Sequence, residues 1–220
     1  MNLFDVVGPI MVGPSSSHTA GAVRIGNVSR KLLGEEVQKA EIGLHGSFLA
    51  TGSGHGTDRA LVAGLLGLAV DDGRIPHSFE LAAEHGMEFH FGPVDLGEDA
   101  NPNSARLLLT SKSGRELEIV GASVGGGRIM ITELDGLAAN FSGDYPTLIV
   151  HNEDQPGHVA EVTSMLQHKS VNIATMQLYR SGRGGHAVMV LECDQEIPTE
   201  AVHWLEHLEG VEKVTYYSLL

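Results

Sequence analysis

The last third of the chain, Thr147–Leu220, is TLIVHNEDQPGHVAEVTSMLQHKSVNIATMQLYRSGRGGHAVMVLECDQEIPTEAVHWLEHLEGVEKVTYYSLL. It begins with a short β-rich run that is interrupted by DQPG, whose composition is typical of a turn. Helical spacing follows, because Val159, Val162 and Leu166 recur on one face. Two further β-rich runs flank the turn SGRGG, and this arrangement predicts a β-hairpin.

A second helix and a closing strand complete this segment. Pro198 stands near the predicted start of the helix and Gly210 near its end. Ala201, Leu205 and Leu208 share one face of that helix. The run VEKVTYYSL then predicts a strand. The order βαββαβ over about 75 residues is typical of the ferredoxin-like split βαβ plan.

The segment FSGDYP, Phe141 to Pro146, separates this module from a part of different composition. Gly, Asp and Pro without periodicity indicate a joint. Of the 28 glycines, 23 lie before residue 144 and five after it. We therefore predict two domains, residues 1–143 and 147–220, with different structural needs.

The first domain is predicted to mix helices and strands. We expect a helix from about Ser17 to Leu33, a strand over 37–50, and a helix over 58–70 that is apolar nearly all round and therefore buried. FELAAEHG predicts a short helix, while MEFHFGPV, ARLLLTSKSG, RELEIVGASVGGG and RIMITELDG predict strands, with a hairpin at Ser113-Gly114. The fold class is α+β, and the pattern leaves the topology of this domain open.

Charge and hydropathy exclude several classes of protein. With 28 acidic and 14 basic residues the net charge is −14, and an acidic surface repels phosphate backbones, so we expect no nucleic-acid partner. No apolar run reaches the ~18 residues of a membrane span, and MNLFDVVGPI lacks the basic start of a secretory signal. The single cysteine, Cys193, fits a reducing cytoplasm and a core position. It cannot hold a metal–sulfur cluster alone.

The motif GPSSSHT, Gly13–Thr19, precedes the first predicted helix. A helix N-terminus carries about half a positive charge and binds anions such as carboxylates. His18 adds a titratable group and is a candidate catalytic residue. The candidate substrate contacts in this motif are Ser15, Ser16, Ser17 and Thr19. Simple capping of the helix by one of the serines is the alternative.

The motif TGSGHGTD, Thr51 to Asp58, holds three glycines that allow close approach of a ligand. His55 lies between two of them, so its ring can project into a cleft, and Asp58 could orient it as a general base. Thr57 is a further candidate substrate contact and, like Asp58, can cap the following helix. A structural turn and a dinucleotide-type glycine loop are the alternatives. A dinucleotide-binding loop is followed about 20 residues later by an acidic residue at the end of a second strand, and the acidic residues at that distance here do not follow a strand.

The motif SVGGG, Ser123–Gly127, stands at a predicted strand end. A triple glycine there requires an unusual φ or the close approach of another group. A flexible hinge toward the second domain is an equal alternative.

The 12 histidines form no HxH or HExxH pair, so no metal site is predicted in this chain. His203 and His207 are four residues apart on the last predicted helix. We expect them on its solvated flank, with Trp204 and Leu205 packed inward.

The motifs GPSSSHT, GHGTD, NPN and GASVGGG, in this order, resemble those of the β chain of bacterial iron–sulfur-dependent L-serine dehydratases. The resemblance covers essentially the whole chain and extends to FDVVGPIMVGPSSSHTAGAVRIG and HGSFLATGSGHGTDRAL. In that family a partner α chain supplies the cysteine ligands of a [4Fe–4S] cluster. The first domain of the family also occurs as the allosteric substrate-binding domain of some D-3-phosphoglycerate dehydrogenases.

DQPGHVAEVTSML and VNIATM resemble an ACT domain, a small amino-acid-sensing module. In such domains the turn after the first strand and the start of the second strand often form the ligand or dimer interface. The corresponding residues here are Asp154, Gln155, Pro156, Gly157, Asn172 and Ile173. Many ACT domains bind no ligand and only dimerise, so effector binding stays a hypothesis beside self-association.

The resemblance implies conversion of L-serine into pyruvate and ammonia, with the hydroxyl leaving group assisted by iron of the cluster in the α subunit. Of the residues in this chain, His55 is our candidate base, oriented by Asp58, and Ser15–His18 are our candidate substrate contacts. The chain alone is expected to be inactive. The alternatives are a purely regulatory subunit with all catalysis in the partner, and an amino-acid sensor without a partner.

Overall fold

The computed structural model describes residues 10–219, apart from the side chain of Ser53. The FDVVGP part of the family resemblance lies outside the described residues. The chain divides into two compact units, Met1–Gly136 and Leu137–Leu220. This division precedes the predicted joint at FSGDYP, so the residues just before that joint are counted with the second unit.

The first unit combines a helical layer with a mixed sheet. Its helices are α1 (Ala22–Leu33), α2 (Gly46–His55), α3 (Thr57–Leu65) and α4 (Ser78–His85). A π-helical turn, Ser16–Gly21, runs into α1, and a 3-10 turn, Ile75–His77, runs into α4. Its strands are β1 (Val37–Leu44), β2 (Glu88–Pro93), β3 (Ser104–Ser111), β4 (Glu116–Gly125) and β5 (Arg128–Leu134). They lie in the order β2-β1-β3-β4-β5, with β1 and β2 parallel and the other pairs antiparallel.

Helices α1 and α3 cross where two glycines face each other. A Cβ on Gly64 would lie 2.1 Å from the Val23 carbonyl oxygen, and one on Gly26 would lie 2.5 Å from that of Leu61. The two backbones are therefore in direct contact. The predicted burial of the α3 segment is confirmed, although the helix ends at Leu65 rather than at residue 70.

Helix α2 is the largest difference from the predicted elements, which placed a strand and then a glycine loop in this region. The strand ends at Leu44, and a helix continues to His55. The Ser47 and Phe48 amides donate to the Pro102 carbonyl at 2.7 and 3.2 Å, so the NPN turn satisfies the first N–H groups of the helix. Full burial of Phe48 anchors it further, and tertiary contacts thus override the weak helix propensity of glycine.

The triple glycine of SVGGG joins β4 and β5 in a tight hairpin. Gly125, Gly126 and Gly127 have φ angles of 98°, 63° and 78°, which glycine adopts without steric cost. Gly125 pairs with Arg128 in the register of the two strands. The prediction of an unusual φ is confirmed, and the alternative of a hinge toward the second domain is wrong.

The second unit has the predicted βαββαβ order, preceded by one additional strand. It begins with β6 (Leu137–Phe141) and continues with β7 (Thr147–Glu153), α5 (His158–His168), β8 (Ile173–Arg180), β9 (His186–Cys193), α6 (Thr199–Glu206) and β10 (Val211–Tyr217). Strands β7 to β10 form an antiparallel sheet in the order β10-β7-β9-β8. This is the strand order of the ferredoxin-like plan, and the predicted α+β class is confirmed.

The core of the second unit lies between this sheet and its two helices. Val162 and Leu166 of α5 are fully buried, and Cys193 is buried as predicted. One packing prediction is wrong, because Trp204 is 48% exposed, and Val159 on the predicted apolar face of α5 is 39% exposed. Helical periodicity identifies an apolar stripe, but it does not show where the neighbouring layer ends. Among residues 10–219, no helix is long and apolar enough to cross a membrane.

Candidate functional site

The turn before α1 is built around Ser15. Its backbone is extended, with φ −139° and ψ 124°, and its Oγ accepts a hydrogen bond from the His18 amide at 3.1 Å. Ser15 is therefore the N-cap, and the capping alternative holds for this serine. Ser16 and Ser17 are half-buried in the first turn of the π-helical segment. Such π-helical turns are frequent at functional sites.

The first two motifs meet at the ring of His18. Its Nε2 lies 3.1 Å from the hydroxyl of Ser47 and 3.1 Å from the hydroxyl of Thr51, both on α2. The centroid of its ring lies 5.0 Å from that of His55, at the end of α2. We call these four residues, His18, Ser47, Thr51 and His55, the histidine cluster. The pairing of the two histidines supports the selection of both as candidate site residues.

Two of the predicted substrate contacts are buried side chains. Thr19 is 2% exposed, and its Oγ1 donates to the carbonyl oxygen of His55 at 3.2 Å, which fastens the end of α2 to the first motif. Thr57 is completely buried at the start of α3. Both predicted contacts are corrected on this ground. A run of small polar residues shows that hydroxyls are present, but it does not show which of them turn inward.

Asp58 does not orient His55. The Asp58 Oδ1 accepts from the Arg59 amide at 2.8 Å, and its carboxylate lies in the first turn of α3, where the helix dipole favours it. Among the described residues, no hydrogen bond or ion pair joins Asp58 to His55. His55 is the exposed last residue of α2, and Gly56 follows it with φ 71°. Because Gly56 takes a left-handed conformation at the helix end, the chain turns between the imidazole and the carboxylate.

The surroundings of His18 favour its neutral form. Burial and the nearby His55 both lower the pKa of His18 below the ordinary value of 6.5, while Ser47 acts in the opposite direction. The surface over the end of α2 is open, because a Cβ placed on Gly54 or Gly56 would meet no atom within 4 Å. A small ligand can therefore approach the backbone next to His55, as the glycines of this motif predicted.

The motifs NPN and SVGGG contact the segments that carry the histidine cluster. Pro102 of NPN holds the start of α2. The Ser123 amide donates to the Asn103 carbonyl at 2.9 Å, and a Cβ on Gly21 would lie 2.2 Å from the Ser123 Oγ. Sequence reasoning missed Ser47 and Thr51. Their i, i+4 spacing places them on one face only of a helix, whereas the local pattern predicts a strand and a loop there.

The residues of this chain do not fit a [4Fe–4S] cluster. Cys193 is fully buried in β9, and burial raises the pKa of its thiol to about 11. A cluster ligand must be a thiolate, which this environment disfavours. A cluster would therefore have to be held by another chain.

The predicted effector residues of the second unit separate into two groups. Asp154 accepts from the Gly184 amide at 3.0 Å, beyond the end of β7 where Glu153 pairs with His186. Asn172 donates to the Asp194 carboxylate at 2.6 Å, beside the pairing of Ile173 with Cys193. At about 3.3 Å per residue, these two ends of β9 lie about 20 Å apart. The two groups do not form one site within a single chain.

Together, these features define a chain whose first unit carries a histidine-containing polar site and whose second unit is a ferredoxin-like module of the ACT type. Family models agree with this division, since "Serine dehydratase beta chain" matches residues 2–86 and "ACT domain" matches residues 146–202.

Three curated proteins are similar to most of the chain. The "L-serine dehydratase, beta chain" of Peptoniphilus asaccharolyticus is 40% identical over 96% of this chain and 94% of its own length. The "Probable L-serine dehydratase, beta chain" of Bacillus subtilis is 40% identical over 97% and 96%. The D-3-phosphoglycerate dehydrogenase of Methanocaldococcus jannaschii is 25% identical over 90% of this chain and 37% of its own length. The chain belongs to the serine dehydratase β-chain family.

Proposed function

We propose that this chain is the β subunit of a two-chain L-serine dehydratase of the cytoplasm, which converts L-serine into pyruvate and ammonia. Its partner is an α subunit that holds a [4Fe–4S] cluster. The observation that carries the proposal is the meeting of His18 and His55, from two motifs far apart in sequence, at 5.0 Å on an open surface. The similarity to relatives named as β chains of this enzyme supports it.

Within this reaction the chain binds the substrate and removes its α-proton. Ser16 and Ser17 lie at a helix start, whose positive dipole end suits a carboxylate. His55 is exposed and takes the α-proton as general base. Departure of the β-hydroxyl then gives aminoacrylate, which hydrolyses to pyruvate and ammonia. Since Cys193 is the single cysteine and lies buried in the core, we assign assistance to the leaving hydroxyl to the α subunit.

The second unit is proposed to join two copies of the chain. The candidate effector residues lie at opposite ends of the sheet, so one site containing both Asp154 and Asn172 requires two chains. Strand β8 is at the edge of the sheet, and its Leu178 is 50% exposed. Both features favour self-association, and L-serine is the effector that we propose for the shared site.

The test is co-expression with an α chain of the family under anaerobic conditions, followed by an assay for pyruvate from L-serine. We expect His55→Ala to lower kcat by ~10²–10⁴, as removal of a general base does. The matched control is His85→Ala, because His85 also ends a helix and is followed by a glycine with φ 70°. If His55→Ala keeps a normal kcat and loses only the response to serine concentration, the purely regulatory function replaces this proposal.

A further inference from the structure

The hydroxyl of Thr51 has its proton committed within α2. Its Oγ1 donates to the Ser47 carbonyl at 2.9 Å, the bond that a helical threonine makes to the residue four positions earlier. A hydroxyl has a single proton to donate. Toward the Nε2 of His18, 3.1 Å away, the same oxygen can therefore only accept.

With the Thr51 hydroxyl donating to the Ser47 carbonyl, this arrangement favours a proton on the Nε2 of His18. If Nε2 were unprotonated, its lone pair would face the lone pair of Thr51, and the contact would be repulsive. A proton on Nε2 makes the contact a hydrogen bond, and this one proton is shared with the Ser47 Oγ, which lies 3.1 Å from the same nitrogen. The ring is thus held on its Nε2 side by two hydroxyls from adjacent turns of one helix.

We propose that Ser47 and Thr51 are positioning residues that hold His18 as the neutral Nε2–H tautomer, so that Nδ1 accepts a hydrogen bond from a proton donor of the substrate. The lowered pKa of His18 supports the neutral state. Among the described residues, no hydrogen bond occupies Nδ1. For serine, and resting on the proposed function, this donor is the ammonium or hydroxyl group.

In this tautomer His18 does not bind the substrate carboxylate. A neutral imidazole whose free nitrogen is an acceptor repels a carboxylate oxygen. The carboxylate then belongs at the serine turn, and the donor end of the substrate belongs at His18. His18 in this tautomer favours ligands with a proton donor at this position over ligands with only acceptors.

The first experiment uses ¹⁵N-histidine NMR on the full chain without a partner, at a pH above 7. The His18 signals are assigned by their loss in His18→Gln. We expect protonated Nε2 and unprotonated Nδ1 in the wild type and in Thr51→Ser, and a mixture of tautomers in Thr51→Val. Thr163→Val is the control, because Thr163 makes the same bond to Val159 at 2.8 Å in α5 and, among the hydrogen bonds of the described residues, has none to a histidine. A proton on Nδ1 in the wild type, or no change in Thr51→Val, overturns the proposal.

The second experiment measures kinetics of the complex with the α chain. We expect Thr51→Val to raise the KM for L-serine about tenfold, the order of one lost hydrogen bond, and Thr51→Ser to restore it. If the NMR result is as expected but no variant or wild type forms pyruvate, the tautomer assignment stands and the proposed function fails. If activity is present and Thr51→Val changes neither KM nor the tautomer, the positioning proposal fails alone.

Discussion

Two pairs of glycines, one pair in each unit, have different surroundings. In the first unit Gly26 and Gly64 lie where two helix backbones touch, and any side chain there would meet a carbonyl oxygen within 2.5 Å. In the second unit Gly157 and Gly182 lie in connections, and a Cβ on either would meet no atom within 4 Å. Close backbone approach thus shapes the first unit, while regular alternation and turns shape the second. This difference explains why one topology could be predicted from sequence and the other could not.

The largest loss of stability is expected at the contact between the backbones of α1 and α3. Gly64→Ala places a Cβ 2.1 Å from the Val23 carbonyl and separates α1 from α3, so it should lower the free energy of unfolding by about 1–3 kcal/mol. A loss of stability would be informative, because replacing glycine with alanine inside a helix otherwise stabilises it by about 1 kcal/mol. Gly182→Ala is the matched substitution in the second unit and should stay within about 0.5 kcal/mol. Denaturant unfolding of both variants makes the measurement, and equal effects would remove the distinction between the units.

The second unit depends on a buried carboxylate instead. Glu192 is 6% exposed and accepts from the Ser142 amide and hydroxyl at 2.9 and 2.8 Å and from the Thr175 hydroxyl at 2.8 Å. Glu192→Ala leaves these donors without their acceptor and should cost about 1–3 kcal/mol. Chemical denaturation should show a smaller loss for Glu192→Gln, which keeps one acceptor oxygen. The exposed Glu209→Ala serves as the control, and a loss of similar size there would contradict the assignment.

The three serines of the first motif are expected to differ in their effects on stability and on substrate binding. Ser15 caps the helix, so Ser15→Ala should lower stability by about 1 kcal/mol. Ser16→Ala and Ser17→Ala should keep stability and mainly raise the KM for L-serine, because in the proposed function these serines bind the carboxylate in ground state and transition state alike. Thermal unfolding and steady-state kinetics separate the two effects. A stable Ser15→Ala variant with a raised KM would reverse these roles.

The smallest effect concerns an exposed ion pair in the first unit. Hydrogen bonds from Arg74 lower the pKa of Asp72 from 3.8 to about 2. Because the folded pKa lies below the unfolded one, the contribution to stability is complete above about pH 4 and is lost as the pH falls through 2. Asp72→Asn should therefore melt slightly below the wild type at pH 6, and the difference should vanish near pH 2. A difference that is unchanged at pH 2 would contradict this origin.

Most of the second unit could be predicted because its elements are locally consistent. The hairpin around SGRGG and the helix after Pro198 each carry their own turn and capping residues, and each occurs where predicted. The predicted inward packing of Trp204 is wrong, because exposure depends on where the neighbouring layer ends. In the first unit the helix α2 was missed, since its start is satisfied by Pro102, a residue about 50 positions away in sequence.

The sequence by itself determined the α+β class, the βαββαβ module and the selection of His18 and His55. These follow from periodicity, turn chemistry and residue type, which are local properties. Tertiary packing was needed to show that Thr19 and Thr57 turn inward, that Asp58 pairs with the Arg59 amide rather than with His55, and that Ser47 and Thr51 contact the ring of His18. The physical reason is that a hydrogen bond depends on distance and direction between groups whose approach is set by packing, and packing between distant segments has no local signature.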